Sequence, residues 1–302
     1  VFSGSDASAN LTLNGTNTYS GGTVVNGGVL IVGSTGTLPA GGITVGGGFN
    51  SGSGILVQQQ GGVINPSNTV TMTGNGQLVL SGASTLNGLV FNSTGGGTTS
   101  PTVNSGEGTL TLGAGGIVAN PFNPAAAPLV VGRVDLGLNP SMVTVNTYDF
   151  NGVVNVAPTT PGLILGGLLG SSGGFTKLGA GVLQINQSIF TGPVTVAAGN
   201  IQSGALNGGS RFSDLTLQSG TSLNLNGQAT AWGSLSGAGS VFNSVANSQT
   251  LSVGFNNSDS TFSGQLNRFN DSTPNGVNLV KVGTGVMSIT GVQHAQNGST
   301  GT

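Results

Sequence analysis

Residues 175–204 read FTKLGAGVLQINQSIFTGPVTVAAGNIQSG, and this stretch returns twice in altered form. Residues 279–302 read LVKVGTGVMSITGVQHAQNGSTGT, and residues 9–33 read ANLTLNGTNTYSGGTVVNGGVLIVG. In each copy a Gly-rich turn leads into alternating apolar and polar residues: Leu11-Thr12-Leu13, Leu183-Gln184-Ile185 and Met287-Ser288-Ile289. The first two copies continue into a second short strand, Thr23-Val24-Val25 and Val194-Thr195-Val196. Internal self-similarity marks architectures in which each unit contacts mainly its neighbours. Here the units are short strands and turns without a helix, which predicts an all-β parallel β-solenoid running through residues 1–302 as one continuous unit.

Composition explains why such a chain would stack. Only 4% of residues are charged, against about 25% in an ordinary soluble domain. Glycine takes 58 of 302 positions, 36% of residues are hydrophobic and the net charge is −2. Disordered chains are held open by charge and low hydrophobicity, so this one is expected to fold. Parallel strands place equivalent side chains roughly 4.8 Å apart. A charge repeated at one rung would repel its copies, whereas Asn, Ser and Thr can bond to theirs as polar ladders. At roughly 20–25 residues per coil the chain predicts about 12–15 rungs. The rod would be on the order of 60–70 Å long. With so few ionisable groups, little dependence of stability on pH or salt is expected.

Strand signals recur throughout, for example at 43–45, 55–58, 69–73, 77–80, 110–112, 143–145, 153–156, 215–217, 222–225 and 250–253. Each is short and bounded by Gly-Gly, Asn-Gly or Ser-Gly turns that supply positive φ. The Pro-rich stretches 120–128 (NPFNPAAAP) and 157–162 (APTTPG) interrupt the pattern, because proline cannot donate to a ladder. Arg133, Asp135, Tyr148 and Asp149 lie between them and read as solvated groups on the outside, Arg133 and Asp135 as a surface ion pair.

The Lys-x-Gly-x-Gly phrase occurs as Lys177-Leu178-Gly179-Ala180-Gly181 and as Lys281-Val282-Gly283-Thr284-Gly285. With Asn17-Thr18-Tyr19-Ser20-Gly21-Gly22-Thr23-Val24-Val25 in the first copy, it resembles the autotransporter-associated β-strand repeat, also called the passenger-associated transport repeat. The resemblance implies a right-handed parallel β-helix exported to the cell surface or beyond. It does not imply an enzyme. The third copy departs from the pattern, with Gln293-His294-Ala295-Gln296 in place of the Asn-Thr-Tyr phrase, and no membrane barrel accompanies the repeats.

Catalytic chemistry is not legible. The acids are Asp6, Glu107, Asp135, Asp149, Asp214, Asp259 and Asp271; the bases are Arg133, Lys177, Arg211, Arg268 and Lys281, with one histidine, His294. A glycosidase needs two carboxylates across one bond, and no acids are spaced to suggest such a pair. No catalytic, cofactor-binding or metal site is assigned. His294 reads as an exposed turn residue, and Lys177 and Lys281 as solvated corner lysines. The glycine runs at 46–48 and 95–97 precede no helix, so they are turns rather than phosphate cradles. Five bases and a pI near 4.9 exclude nucleic acid as a partner. No apolar run reaches the roughly 18 residues of a spanning helix. Phe175, Phe190, Phe212, Phe242, Phe255, Phe262 and Phe269 are expected inside, filling the core. An exposed aromatic strip for sugars is the alternative, with Trp232 its first candidate.

These readings converge on an extracellular or cell-surface structural rod. It would be part of a longer surface protein, or would stack end to end with itself as a fibre, since neither end shows a polar cap. An adhesin gripping a glycan or host protein is the alternative, and a β-helical glycan-active enzyme a remoter one.

Overall fold

The computed structural model describes residues 1–4, 8–47, 54–92, 100–122, 124–148, 159–205, 208–266 and 276–291. All regular structure among them is strand. A 23-stranded parallel sheet takes most of it, with a three-stranded and a two-stranded sheet beside it. Every named strand pairing is parallel and joins one coil to another, never a strand to an antiparallel hairpin mate. This is the parallel β-solenoid that the repeats predict.

Register carries the architecture. One column of partners runs Thr23, Ile43, Val70, Leu89, Ile117, Val143, Lys177, Val196, Leu217, Gly237, Phe262 and Ile289. These twelve positions lie on a first face and span about 53 Å at the strand spacing. A second face carries Leu11, Leu30, Leu56, Leu78, Val103, Val130, Leu165 and Ile185 in register. On a third face Thr230–Trp232, Gln249–Val253 and Val277–Lys281 pair in turn.

Coil length varies more widely than expected. Val182 pairs with Asn200 and Leu129 with Ile164, so a coil takes from 18 to 35 residues. The longest coil follows the proline-rich stretch at 120–128, which makes no strand between Asn120 and Leu129. Such variation is tolerated because each coil packs only on its neighbours, so extra residues bulge at a corner without disturbing the stack. The expected strand at 153–156 lies outside the described residues.

The core is the set of inward residues of the three faces. Val182–Ser188 shows the period of two: Leu183 and Ile185 are fully buried while Gln184 is partly exposed. Some strands run through corners. Thr102–Asn120 lies along all three faces, pairing by Val103, Leu110 and Ile117 on successive ones. Gly106 (φ 58°) and Gly116 (φ 55°) bend it between them, in a conformation that other residues enter at a cost.

The expected polar ladders are present. Asn146 donates to Asn120 at 2.6 Å and Asn120 to Asn92 at 2.7 Å, one amide per coil. On the second face Gln202 donates to Gln184 at 3.1 Å, and Asn224 donates to Gln202 and Ser244 at 2.9 Å each. Uncharged amides are donors and acceptors at once, so identical groups bond along the stack where charges would repel.

Candidate functional site

The Lys-x-Gly-x-Gly phrase turns out to be a corner device. Lys177 is not a solvated corner lysine. It occupies the inward column between Val143 and Val196 and is fully buried. Its Nζ curls to the corner and donates to Leu178 O (2.9 Å), Gly179 O (2.6 Å) and Ala198 O (2.9 Å), the last in the following coil. Three donors meet three carbonyls that the turning backbone leaves unpaired. Burial pushes the ammonium down to about 7. Lys281 makes the same local pair of bonds, to Val282 O at 2.5 Å and Gly283 O at 3.2 Å, but is exposed.

Both glycines of the phrase are explained by the coil beneath. Gly179 has φ 73°, and a Cβ there would lie 2.4 Å from Val145 O; one on Gly181 would lie 2.3 Å from Asn146 O. Gly283 and Gly285 stand in the same relation to Gly254 O (2.2 Å) and Ser258 O (2.4 Å). Gly179→Ala is therefore expected to cost about 2–3 kcal/mol, from a strained φ and a backbone that must move. Gly15→Ala, where a Cβ meets nothing within 4 Å, should stay within about 0.5 kcal/mol of wild type. Urea unfolding of the two variants checks the contrast.

The two lysine phrases do not turn the same corner. Phe175–Leu178 lies on the first face and Val182–Ser188 opens on the second. Val277–Lys281 lies on the third face and Met287–Ile289 on the first. The phrase thus encodes a kind of corner rather than a fixed place in the coil, and the two ammonium groups are not stacked in one column.

The aromatic residues divide. Phe175, Phe190, Phe242 and Phe262 are buried as expected. Trp232 is fully buried too, so it is no part of an exposed strip. Phe190 meets Phe175 edge to face at 5.6 Å and Trp232 at 5.5 Å, forming an interior ring stack. Gly209 leaves room for it, since a Cβ there would lie 2.5 Å from Trp232 Nε1. That Nε1 has no hydrogen-bond partner in the structure. Phe269 lies outside the described residues.

Phe212 and Phe255 correct the expectation that all the phenylalanines point inward: they are 61% and 39% exposed. Each sits in a turn, within Ser210-Arg211-Phe212-Ser213 and Gly254-Phe255-Asn256-Asn257. Their neighbours are turn residues rather than members of an alternating strand, and that was the available signal in the sequence. Gly233 lies between the two turns: its N–H donates to Ser213 O at 2.8 Å, and Gly254 N–H donates to Gly233 O at 2.8 Å. Two aromatic knuckles thus flank the coil that carries Gly233. The Arg211 guanidinium carbon lies 5.9 Å from both ring centroids. At the base, Asp214 Oδ1 accepts hydrogen bonds from Ser234 Oγ and Asn256 Nδ2.

The remaining polar residues are accounted for locally. Arg133 and Asp135 form no ion pair; the Asp135 carboxylate instead accepts from Gly137 N–H at 2.9 Å, capping the turn. Tyr148 is not solvated. It is buried and donates to Pro161 O, and burial pushes its hydroxyl up to about 12. Asp259 accepts from Val286 N–H at 2.7 Å, and Glu107 is exposed. Asp6, Asp149, Arg268, Asp271 and His294 lie outside the described residues. Among those described, no three His, Cys, Asp or Glu side chains group to hold a metal. A shallow polar groove of about 330 Å³ crosses three coils at another corner, along Ser219–Thr221, Ala238–Ser240 and Ser263–Gln265, and holds no ionisable group.

Comparison with known proteins bears on these corners directly. The family model described as Passenger-associated-transport-repeat matches residues 8–32 and 175–202, the first two of the three copies. The chain is also 32% identical over 155 residues to "Adhesin BmaC autotransporter" of Brucella suis biovar 1 (strain 1330). That alignment takes in 49% of this chain but 4% of the relative's length. No solved structure matches the chain significantly. The second matched segment contains Lys177, Gly179 and Gly181, whose contacts close a solenoid corner. Residues 8–32 and 175–202 thus match the passenger-associated-transport-repeat model within a chain built as a parallel β-solenoid.

Proposed function

We propose that this chain is part of a surface-exposed autotransporter passenger, a rod that holds adhesive surfaces away from the cell. The observation that carries this reading is the unbroken register column from Thr23 to Ile289. A stack in which each coil contacts only its neighbours makes length without enlarging a core. The matched transport repeats and the adhesin relative support the same reading. The stalk needs no catalytic machinery, and most of the polar groups described above serve turns and ladders. Its recognition chemistry belongs on exposed corners, where loops can vary without altering the stack.

Antibodies raised against the 302-residue segment provide the test. On intact cells producing the whole protein they are expected to label the surface, and added protease should remove the label. Labelling that requires permeabilised cells would contradict the proposal.

A further inference from the structure

We infer that Arg211, Phe212 and Phe255 form a binding site for the carboxylate of an acidic sugar. This rests on the surface-passenger reading and names a ligand class for it. Arg211 lies over both rings, and its guanidinium donates no hydrogen bond to any described residue. Asp214, the acid of the neighbouring strand, is engaged by Ser234 and Asn256 instead. The site therefore presents a fork of N–H donors with no internal acceptor. A guanidinium binds a carboxylate through two parallel N–H···O bonds, the strong form of this interaction. Its position against two rings reduces the rotamer freedom lost on binding.

The shape selects the rest of the ligand. The aromatic turns stand two coils apart, roughly 10 Å along the stack. Between them Gly233 is buried, and the space a Cβ would take is already filled by Ser213 O at 2.9 Å and Asn256 Nδ2 at 3.0 Å. Two exposed phenylalanines beside one guanidinium suit a flat, partly apolar body that carries a carboxylate, such as a uronate pyranose. The C–H face of the sugar lies against an exposed phenylalanine ring while its carboxylate takes the Arg211 donors. One guanidinium suits one monoanion. A sulfated polymer or a nucleic acid would need several cations, and the chain's net charge is −2.

The test titrates the full 302-residue chain with a tetrasaccharide alternating glucuronate and N-acetylglucosamine, followed by NMR. Its methyl ester, which keeps the rings and removes the charge, is the comparison. The acid form is expected to bind at least about tenfold more tightly than the ester, or about 1.4 kcal/mol. Arg211→Gln and Phe212→Ala should each weaken the acid form by a similar factor while their urea unfolding stays at the wild-type midpoint. Equal affinity for acid and ester, unchanged binding by Arg211→Gln, or no binding up to about 10 mM would overturn the inference. So would tighter binding of a poly-glutamate peptide, which would make this a protein-binding corner. Surface labelling of cells is independent of all these outcomes, so a failed titration leaves the passenger reading standing.

Discussion

Stability is expected to rise as the pH is raised from 7 to 9, against the pattern of a chain with almost no charge. The cause is Lys177. Its ammonium is buried, which lowers its pKa from the ordinary 10.5 to about 7. Three carbonyls hold it, but their attraction does not offset the lost hydration. Between pH 7 and 10.5 the unfolded chain therefore binds more protons than the folded one, and stability increases with pH across that window. Below pH 7 both forms are protonated and the dependence flattens. The gain from pH 7 to 9 should be about 2 kcal/mol, since one proton is worth at most about 1.4 kcal/mol per pH unit. Lys177→Met removes the titration and strands three carbonyls, costing roughly 2–4 kcal/mol at pH 9. At pH 6 the variant should lie closer to wild type, because there the wild type carries the full penalty of a buried charge. Urea unfolding at a series of pH values decides it. Parallel curves for the two proteins would mean that the lysine stays hydrated and keeps its ordinary pKa in the folded state.

Leu183→Asn should cost roughly 2–5 kcal/mol. Leu183 is fully buried, in register with Leu163 below and Ile201 above. The substitution deletes an apolar side chain and leaves an amide among Leu and Ile with no ladder partner. Gln184→Asn, one residue along on the polar face, should cost less than about 1 kcal/mol, since the amide is retained. Similar losses for the two variants in chemical denaturation would contradict the assignment of inward and outward positions, because a slip of one residue reverses them.

Much of the fold was legible because a strand repeat announces itself twice, once by alternation and once by recurrence. Leu183, Ile185, Val194 and Val196 alternate with polar residues, and all four are buried. Stacking was legible in the shortage of charge, and the Asn92–Asn120–Asn146 ladder has the form that shortage implies. Lys177 was not legible. Lysine is ordinarily exposed, and only the corner geometry shows that Leu178, Gly179 and Ala198 turn their carbonyls to one point. The glycines at 179 and 181 were the nearest hint, since they mark a tight turn with backbone groups to satisfy. The Arg211 cluster was missed for a different reason. Its parts lie in separate turns 43 positions apart, from Phe212 to Phe255. Only the register of the intervening coil, with Gly233 at the corner, brings them together.

The central claim is that coils stack in parallel, each one strand spacing above the last. The chain contains no cysteine, so pairs of introduced cysteines carry spin labels without interference. Thr44, Thr144 and Ser236 are partly exposed positions on the first face. Thr44 stands four coils below Thr144, through Thr71, Val90 and Val118. Ser236 lies four coils above the strand of Thr144, through Thr176, Thr195 and Thr216. Pulsed electron–electron dipolar spectroscopy should give about 20 Å for Thr44–Thr144, about 20 Å for Thr144–Ser236 and about 40 Å for Thr44–Ser236. Additive distances along one line are the mark of a solenoid. A Thr44–Ser236 distance as short as either of the others would mean that the chain folds back on itself, and the stacked-coil account would fall.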